Sequence, residues 1–174
     1  MTQYRKSSDR KMSMDSQDIV ELILEDHKAL KDCIKIMKDS DKDMALRAQA
    51  FEEFCILLPL HAKPEERTLY RAMKSGDMRE EGLEGDVEHH ISDQLLEEAK
   101  NTDDGDLWSA RVKVLAEVVE HHIEEEEDEM LPQYRGQSKV DERRQLGEEF
   151  LRLKTAMLTS ADEPQVAEPA PLMQ

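Results

Sequence analysis

Apolar residues recur at helical spacing through five stretches of the chain. From Asp18 the row runs Ile19, Ile23, Leu30, Ile34 and Met37, with His27 filling the gap. A second stretch, over about 44–74, carries Leu46, Ala50, Phe54, Leu58 and Leu69, and KSGDM ends it. A third covers about 80–100, where NTDDGD interrupts the chain. A fourth, over about 107–134, carries Val112, Leu115, Val119 and Met130, with Pro132 and Gly136 marking its end. A fifth is predicted at 140–158 on Leu146, Phe150, Leu153 and Met157.

Four long amphipathic segments with short connections predict an all-α fold, an up-down-up-down four-helix bundle with a C-terminal fifth helix. The fifth helix either caps the bundle or supplies a homodimer surface. Pro59 and Pro64 each remove a hydrogen bond and press on the carbonyl four residues back. They predict a kinked or widened second helix beside His61 and Glu65. Residues 1–16 are polar and read as a flexible N-terminal segment, 17–159 as the bundle domain, and 160–174, rich in Pro and Ala, as a disordered tail.

Polar residues interrupt these rows where a core is expected. The fourth row steps Val112, Leu115, Val119, His122, Glu126, Met130; the second steps Ala50, Phe54, Leu58, His61, Glu65, Leu69. A histidine and a glutamate four residues apart lie about 40° apart on one helix face. The same pair therefore stands in the core row of two helices, and His27 continues the stripe of the first. A buried glutamate is costly unless it is paired or bound to a metal, and these rows contain neither Lys nor Arg. Two carboxylates with imidazoles from several helices describe a dinuclear carboxylate site in a bundle. Of the six consecutive acids from Glu124 to Glu129, only Glu126 turns inward.

The histidine doublets resolve by the same rows. After His89 come Ser92, Leu96 and Ala99; after His90 come Asp93, Glu97 and Lys100, a water-facing row. His89 is the better ligand, and His122 is preferred to His121.

Composition narrows the partners. The 174 residues are 38% hydrophobic, 37% charged and 4% aromatic, a balance that suits amphipathic helices better than a β-sandwich. A formal net charge of −17 argues against nucleic acid or an anionic membrane and suits cations. Cys33 and Cys55 lie in apolar stretches without CxxC spacing and read as reduced core thiols. The start has no apolar signal region and no stretch reaches membrane-spanning length, so a soluble, cytoplasmic protein is expected.

The motifs Asp26-His27, His61-x-x-x-Glu65-Glu66, Glu88-His89 and His122-x-x-x-Glu126-Glu127, followed by Met130-Leu-Pro, resemble the hemerythrin-like, or HHE cation-binding, family over about 17–135. The resemblance implies two non-haem iron ions bridged by an oxo or hydroxo group and by Glu65 and Glu126. His27 and His61 would hold one iron, His89 and His122 the other, with an open position for dioxygen. The invertebrate oxygen carriers of the family place two histidines four apart on the third helix; here the position four after His89 is Asp93. Asp93, His90, Glu127 or solvent is left to complete the second iron. A less histidine-rich iron favours reactivity or sensing over simple oxygen carriage.

The leading expectation is a di-iron protein that binds dioxygen or a related small oxidant for sensing, delivery or storage. The alternatives are a di-iron oxidoreductase acting on peroxide or nitric oxide, and an iron-storage or iron-responsive interaction protein. No general acid is evident: Tyr70 and Tyr134 fall near helix ends and read as interfacial packing residues. Zinc fits less well than iron, because bridging glutamates and ligands from four helices suit a higher coordination number.

Overall fold

The computed structural model describes residues 17–161. Most of the segments read above as flexible, 1–16 and the tail beyond 161, lie outside the described residues. Among the described residues every regular element is helical, and no helix is long and apolar enough to cross a membrane.

Helix α1 (Ile19–Met37) starts at Asp18, whose side chain accepts the Val20 N–H at 3.0 Å. The same carboxylate takes Nε of Arg143 at 2.7 Å and so ties the far end of the chain to the first helix. Helix α2 (Met44–Arg67) begins at Asp43, which caps Ala45. Its first turn departs from the sequence reading: Leu46 is exposed, and Arg47 is buried in its place. Arg47 is fully engaged, with Nε on the Met37 carbonyl at 2.9 Å and NH1 on Ser109 Oγ at 2.6 Å. A buried guanidinium is tolerable when its donors find such acceptors.

The predicted single second helix is two. The α-helix passes through Pro59 and Pro64 and breaks at Thr68, with φ −120° and ψ −81°, before α3 (Leu69–Ser75). The Thr68 hydroxyl donates to the Pro64 carbonyl at 2.7 Å, and its N–H to the Glu65 carbonyl at 3.1 Å. This local bonding competes with continuation of the helix. Helix α4 (Arg79–Lys100) follows, then α5 (Gly105–Glu125), whose N-cap Asp104 accepts from Leu107.

The fourth predicted helix is also interrupted. Residues Glu126–Met130 form one π turn, closed by the Leu131 N–H on the Glu126 carbonyl five residues back. Helix α6 (Leu131–Gln137) then runs through Pro132 and Gly136, the residues expected to end the segment. Pro132 lacks the N–H that an uninterrupted α-helix would give to Asp128, and the wider turn accommodates that loss.

Helix α7 (Val140–Ala161) packs on α1 and α2. Leu146, Phe150 and Leu153 turn inward, so the fifth helix caps its own bundle. Gly147 makes this approach possible, since a Cβ there would stand 1.8 Å from the Gln17 carbonyl oxygen. Around the bundle, α1 contacts α2 and α5, and α4 contacts α2 and α5.

Two apolar clusters fill the interior. One contains Leu30, Ile34, Phe54, Leu58, Val112 and Val119; the other contains Ile23, Leu69, Met73, Met130 and Phe150. His27, His61 and the His122–Glu126 pair sit in sequence between members of the two. A polar layer is thereby sealed above and below by packed hydrocarbon, which keeps water from solvating it.

Candidate metal centre

Helical periodicity brings His27 (α1), His61 and Glu65 (α2), His89 (α4), His122 (α5) and Glu126 (first residue of the π turn) into one layer. None of the six exceeds 3% exposure. His90 and His121 face water, and so do Val87 and Ile91. The Nε2 atoms point inward. His27 Nε2 lies 3.2 Å from Glu126 Oε2, His61 Nε2 3.3 Å from Glu65 Oε2, and the Nε2 atoms of His89 and His122 are 3.0 Å apart. Three overlapping triads, His27–His61–Glu126, His61–Glu65–His89 and Glu65–His122–Glu126, each place their donor atoms within 4.8 Å of one another.

Behind each ring stands a carboxylate from a neighbouring helix. Glu127 faces Nδ1 of His27 at 3.0 Å and Glu88 faces Nδ1 of His122 at 2.6 Å, both hydrogen-bonded. Glu66 faces Nδ1 of His89 at 3.3 Å and Asp26 faces Nδ1 of His61 at 3.6 Å, as longer electrostatic contacts. Such outer carboxylates fix ring orientation and turn the other nitrogen toward a metal. Lysines hold three of them: Lys31 on Glu127 at 2.7 Å, Lys63 on Glu66 at 2.9 Å, and Lys154 on Asp26 at 2.5 Å.

The electrostatics of the layer are unbalanced. Burial drives the His61 imidazole down to about 4 and lowers His89 despite the pull of Glu66. Burial acts on His122 in the same sense, but Glu126 and Glu88 outweigh it and leave this ring above its ordinary value. Burial, and then the adjacent Glu126, raise Glu65 well above the carboxylate range. Burial opposes ionisation of Glu126 too, yet His122 and His27 reverse that and hold its carboxyl low. A cation between the two glutamates is what would let both ionise together.

Sequence reasoning missed one residue of the layer. Tyr70 is fully buried, and its hydroxyl donates to Glu126 Oε1 at 2.6 Å. It also lies 3.2 Å from His122 Nε2 and 3.4 Å from His89 Nε2. The packing role expected for it is therefore corrected. In an unbroken helix a residue five after Glu65 would point about 140° away; the break at Thr68 re-aims it. A threonine four residues after a proline was the available signal. Tyr134 keeps the packing role, with its hydroxyl on Glu142 at 3.2 Å.

Two of the residues considered for completing the second iron are engaged elsewhere, and a third faces solvent. Asp93 pairs with Lys63 at 2.6 Å, Glu127 stands behind His27, and His90 is exposed beside Gln94.

The layer fits a metal by its unsatisfied atoms. Nε2 of His27, Nε2 of His61, both oxygens of Glu65 and Oε2 of Glu126 face the interior of the layer, buried without a hydrogen-bond partner. Buried polar groups are rarely left in that state, and so many converging on one point call for a common partner. A cation accepts neutral imidazole nitrogens and carboxylate oxygens alike.

Inward imidazoles and buried carboxylates on converging helices are the donor set of a metal-ion site built into a bundle. The family model of the hemerythrin HHE cation binding domain matches residues 18–134, and the chain belongs to that family. No curated protein and no solved structure matches the chain.

Proposed function

We propose that this is a non-haem di-iron protein whose centre binds dioxygen or a related small oxidant, in sensing, delivery or storage. The observation that carries the reading is the position of the two glutamates between two pairs of histidines. Within each pair the rings are close, with centroids 4.9 Å apart for His27 and His61 and 4.8 Å for His89 and His122; between pairs, His61 and His89 are 6.1 Å apart. Glu126 Oε2 is 3.2 Å from His27 Nε2 and 3.5 Å from His122 Nε2. Glu65 Oε2 is 3.3 Å from His61 Nε2 and 3.7 Å from His89 Nε2. Each carboxylate thus neighbours one histidine of either pair, the arrangement of two bridges across two metals.

His27 and His61 would hold one iron, His89 and His122 the second, with Glu65 and Glu126 shared. When bound, the iron pair supplies electrons and coordination positions for the oxidant. The protein's part is to present neutral imidazoles, orient them through Asp26, Glu66, Glu88 and Glu127, and keep water out with the two apolar clusters. Contacts of α1 and α4 with both α2 and α5 support the up-down-up-down order of the bundle. One feature favours a second reading, oxidoreductase action on peroxide or nitric oxide: a tyrosine hydroxyl stands among the donors.

The test is metal analysis of purified protein with an optical spectrum, followed by exposure of the reduced protein to dioxygen. Two irons per chain and a spectrum that changes with dioxygen are expected. A protein that takes up only zinc, or a single iron, would overturn the di-iron reading. Sustained peroxide consumption would move the function to the oxidoreductase.

A further inference from the structure

The pair His89–His122 has a neighbour that His27–His61 lacks. We propose that Tyr70 is a ligand of the metal held by His89 and His122, its phenol oxygen filling the position that no third imidazole occupies. The proposal rests on the di-iron reading and says which side chain makes the two irons unequal.

Four donor atoms carry it. Tyr70 Oη is 2.6 Å from Glu126 Oε1, 3.2 Å from His122 Nε2 and 3.4 Å from His89 Nε2, while the two Nε2 atoms are 3.0 Å apart. Donors on adjacent corners of an octahedron with metal–ligand bonds of about 2.1 Å lie about 3 Å from one another. The phenol oxygen stands at that spacing from three other donors at once. A tyrosine that merely packed would bring its ring to the core and its hydroxyl to one acceptor or to water.

The surrounding chain is shaped to admit this ring. Gly85 on α4 lies against it: a Cβ there would stand 2.5 Å from Tyr70 Cζ and 2.9 Å from Oη. Glycine in a helix interior is destabilising relative to alanine, so its presence opposite the phenol is a second observation, independent of the donor distances. The break at Thr68 is a third, because it turns Tyr70 toward the layer. The competing side chains are engaged: Asp93 with Lys63, and Glu127 with His27 and Lys31.

Iron in the ferric state is the metal that suits this donor set, because a hard, anionic oxygen stabilises a hard trivalent cation. On coordination the hydroxyl proton is released to solvent, as protons are released from ligands at other metal sites. No oxidant is consumed in that exchange.

The test is spectroscopic. Full-length protein is loaded with Fe(II) without oxygen, oxidised, analysed for iron, and examined by visible absorption and resonance Raman. A phenolate-to-iron charge-transfer band with enhanced ring vibrations is expected, and these should shift when ring-deuterated tyrosine is incorporated. Tyr70→Phe should lose the band and Tyr134→Phe should keep it. Ferric protein holding two irons with no such band, or a band that survives Tyr70→Phe, would overturn the assignment while leaving the di-iron reading intact. Should Tyr70→Phe fail to fold, the deuterium shift in the wild type and retention of the band in Tyr134→Phe stand in for it. Absence of that shift overturns the proposal. Failure of the di-iron reading is read separately, as an iron content below two per chain in the wild type.

Discussion

Lys154 grips both oxygens of Asp26, at 2.5 and 2.6 Å, and Asp26 faces Nδ1 of His61. The lysine comes from α7, beyond the stretch 18–134 that the family model covers. Removing an outer partner of a metal-bound histidine typically weakens metal affinity 10–100-fold. Lys154 acts one contact further out, so Lys154→Met should weaken the metal by about tenfold or less, and Lys154→Arg should restore it. Competition with a chromophoric chelator measures this. Equal affinity in Lys154→Met and wild type would show that α7 has no hold on the centre.

Glu65 gives a prediction that changes sign with metal. Both of its oxygens are buried without a hydrogen-bond partner. Leaving such a group unsatisfied costs about 1–3 kcal/mol. Glu65→Met should therefore melt higher than the wild type when both are metal-free. With iron present the order should reverse, because the wild type gains binding free energy that the variant has lost. Calorimetry on the four samples decides it; a variant less stable in both conditions would refute the argument.

In the metal-free protein the neutral His61 ring should contribute stability that is lost as the pH falls below 6.5. Burial pushes the His61 imidazole down to about 4 from its ordinary value of 6.5, so between these values the unfolded chain takes up a proton and the folded chain does not. The stability attached to the neutral ring is intact above 6.5 and falls progressively toward pH 4, by about 3 kcal/mol in all. His89, lowered by burial, acts in the same direction; Glu65, raised by burial and the adjacent Glu126, and His122, raised by Glu126 and Glu88 against burial, oppose it. The denaturant midpoint should fall further between pH 7 and pH 5 in the wild type than in His61→Gln. An equal fall in that variant would remove His61 as its source.

Gly85→Ala should destabilise the fold, although alanine is the better helix former. The added methyl would meet the Tyr70 ring at 2.5 Å, and overpacking of this kind costs about 1–3 kcal/mol. In a Tyr70→Leu background, where the clashing ring atoms are gone, the cost should largely vanish. A double-mutant cycle measures the coupling. Additive effects would mean that the two residues do not press on one another.

Helical rows alone located the inward-facing side chains well. His89 separates from His90, and His122 from His121, because the rows they start differ in polarity over three turns. That reasoning assumes a constant 100° per residue, and it fails where the backbone departs from it. Tyr70 is invisible to it because Thr68 breaks the helix after Glu65. The π turn at Glu126 is invisible for the same reason, although Pro132 marks its downstream edge. Leu46 and Arg47 exchange expected places because the ends of three elements meet there. The Met37 carbonyl and Ser109 supply acceptors that only the folded chain brings to the guanidinium. Lys154 is more distant still: its contact with Asp26 joins residues 128 positions apart, and no local pattern announces it.

The carboxylates behind the histidines form a closed circuit. Asp26 of α1 serves His61 of α2, Glu66 of α2 serves His89 of α4, Glu88 of α4 serves His122 of α5, and Glu127, just after α5, returns to His27 of α1. The first histidine made during synthesis therefore waits for the last carboxylate. A nascent chain that has released α1 and α2 can orient His61 but not His27, and nothing that stops short of Glu127 completes the circuit. All four rings are held in place only once the segment carrying Glu127 has packed against α1. A chain that ended before Glu127 would keep the earlier histidines but leave His27 without the carboxylate that orients it.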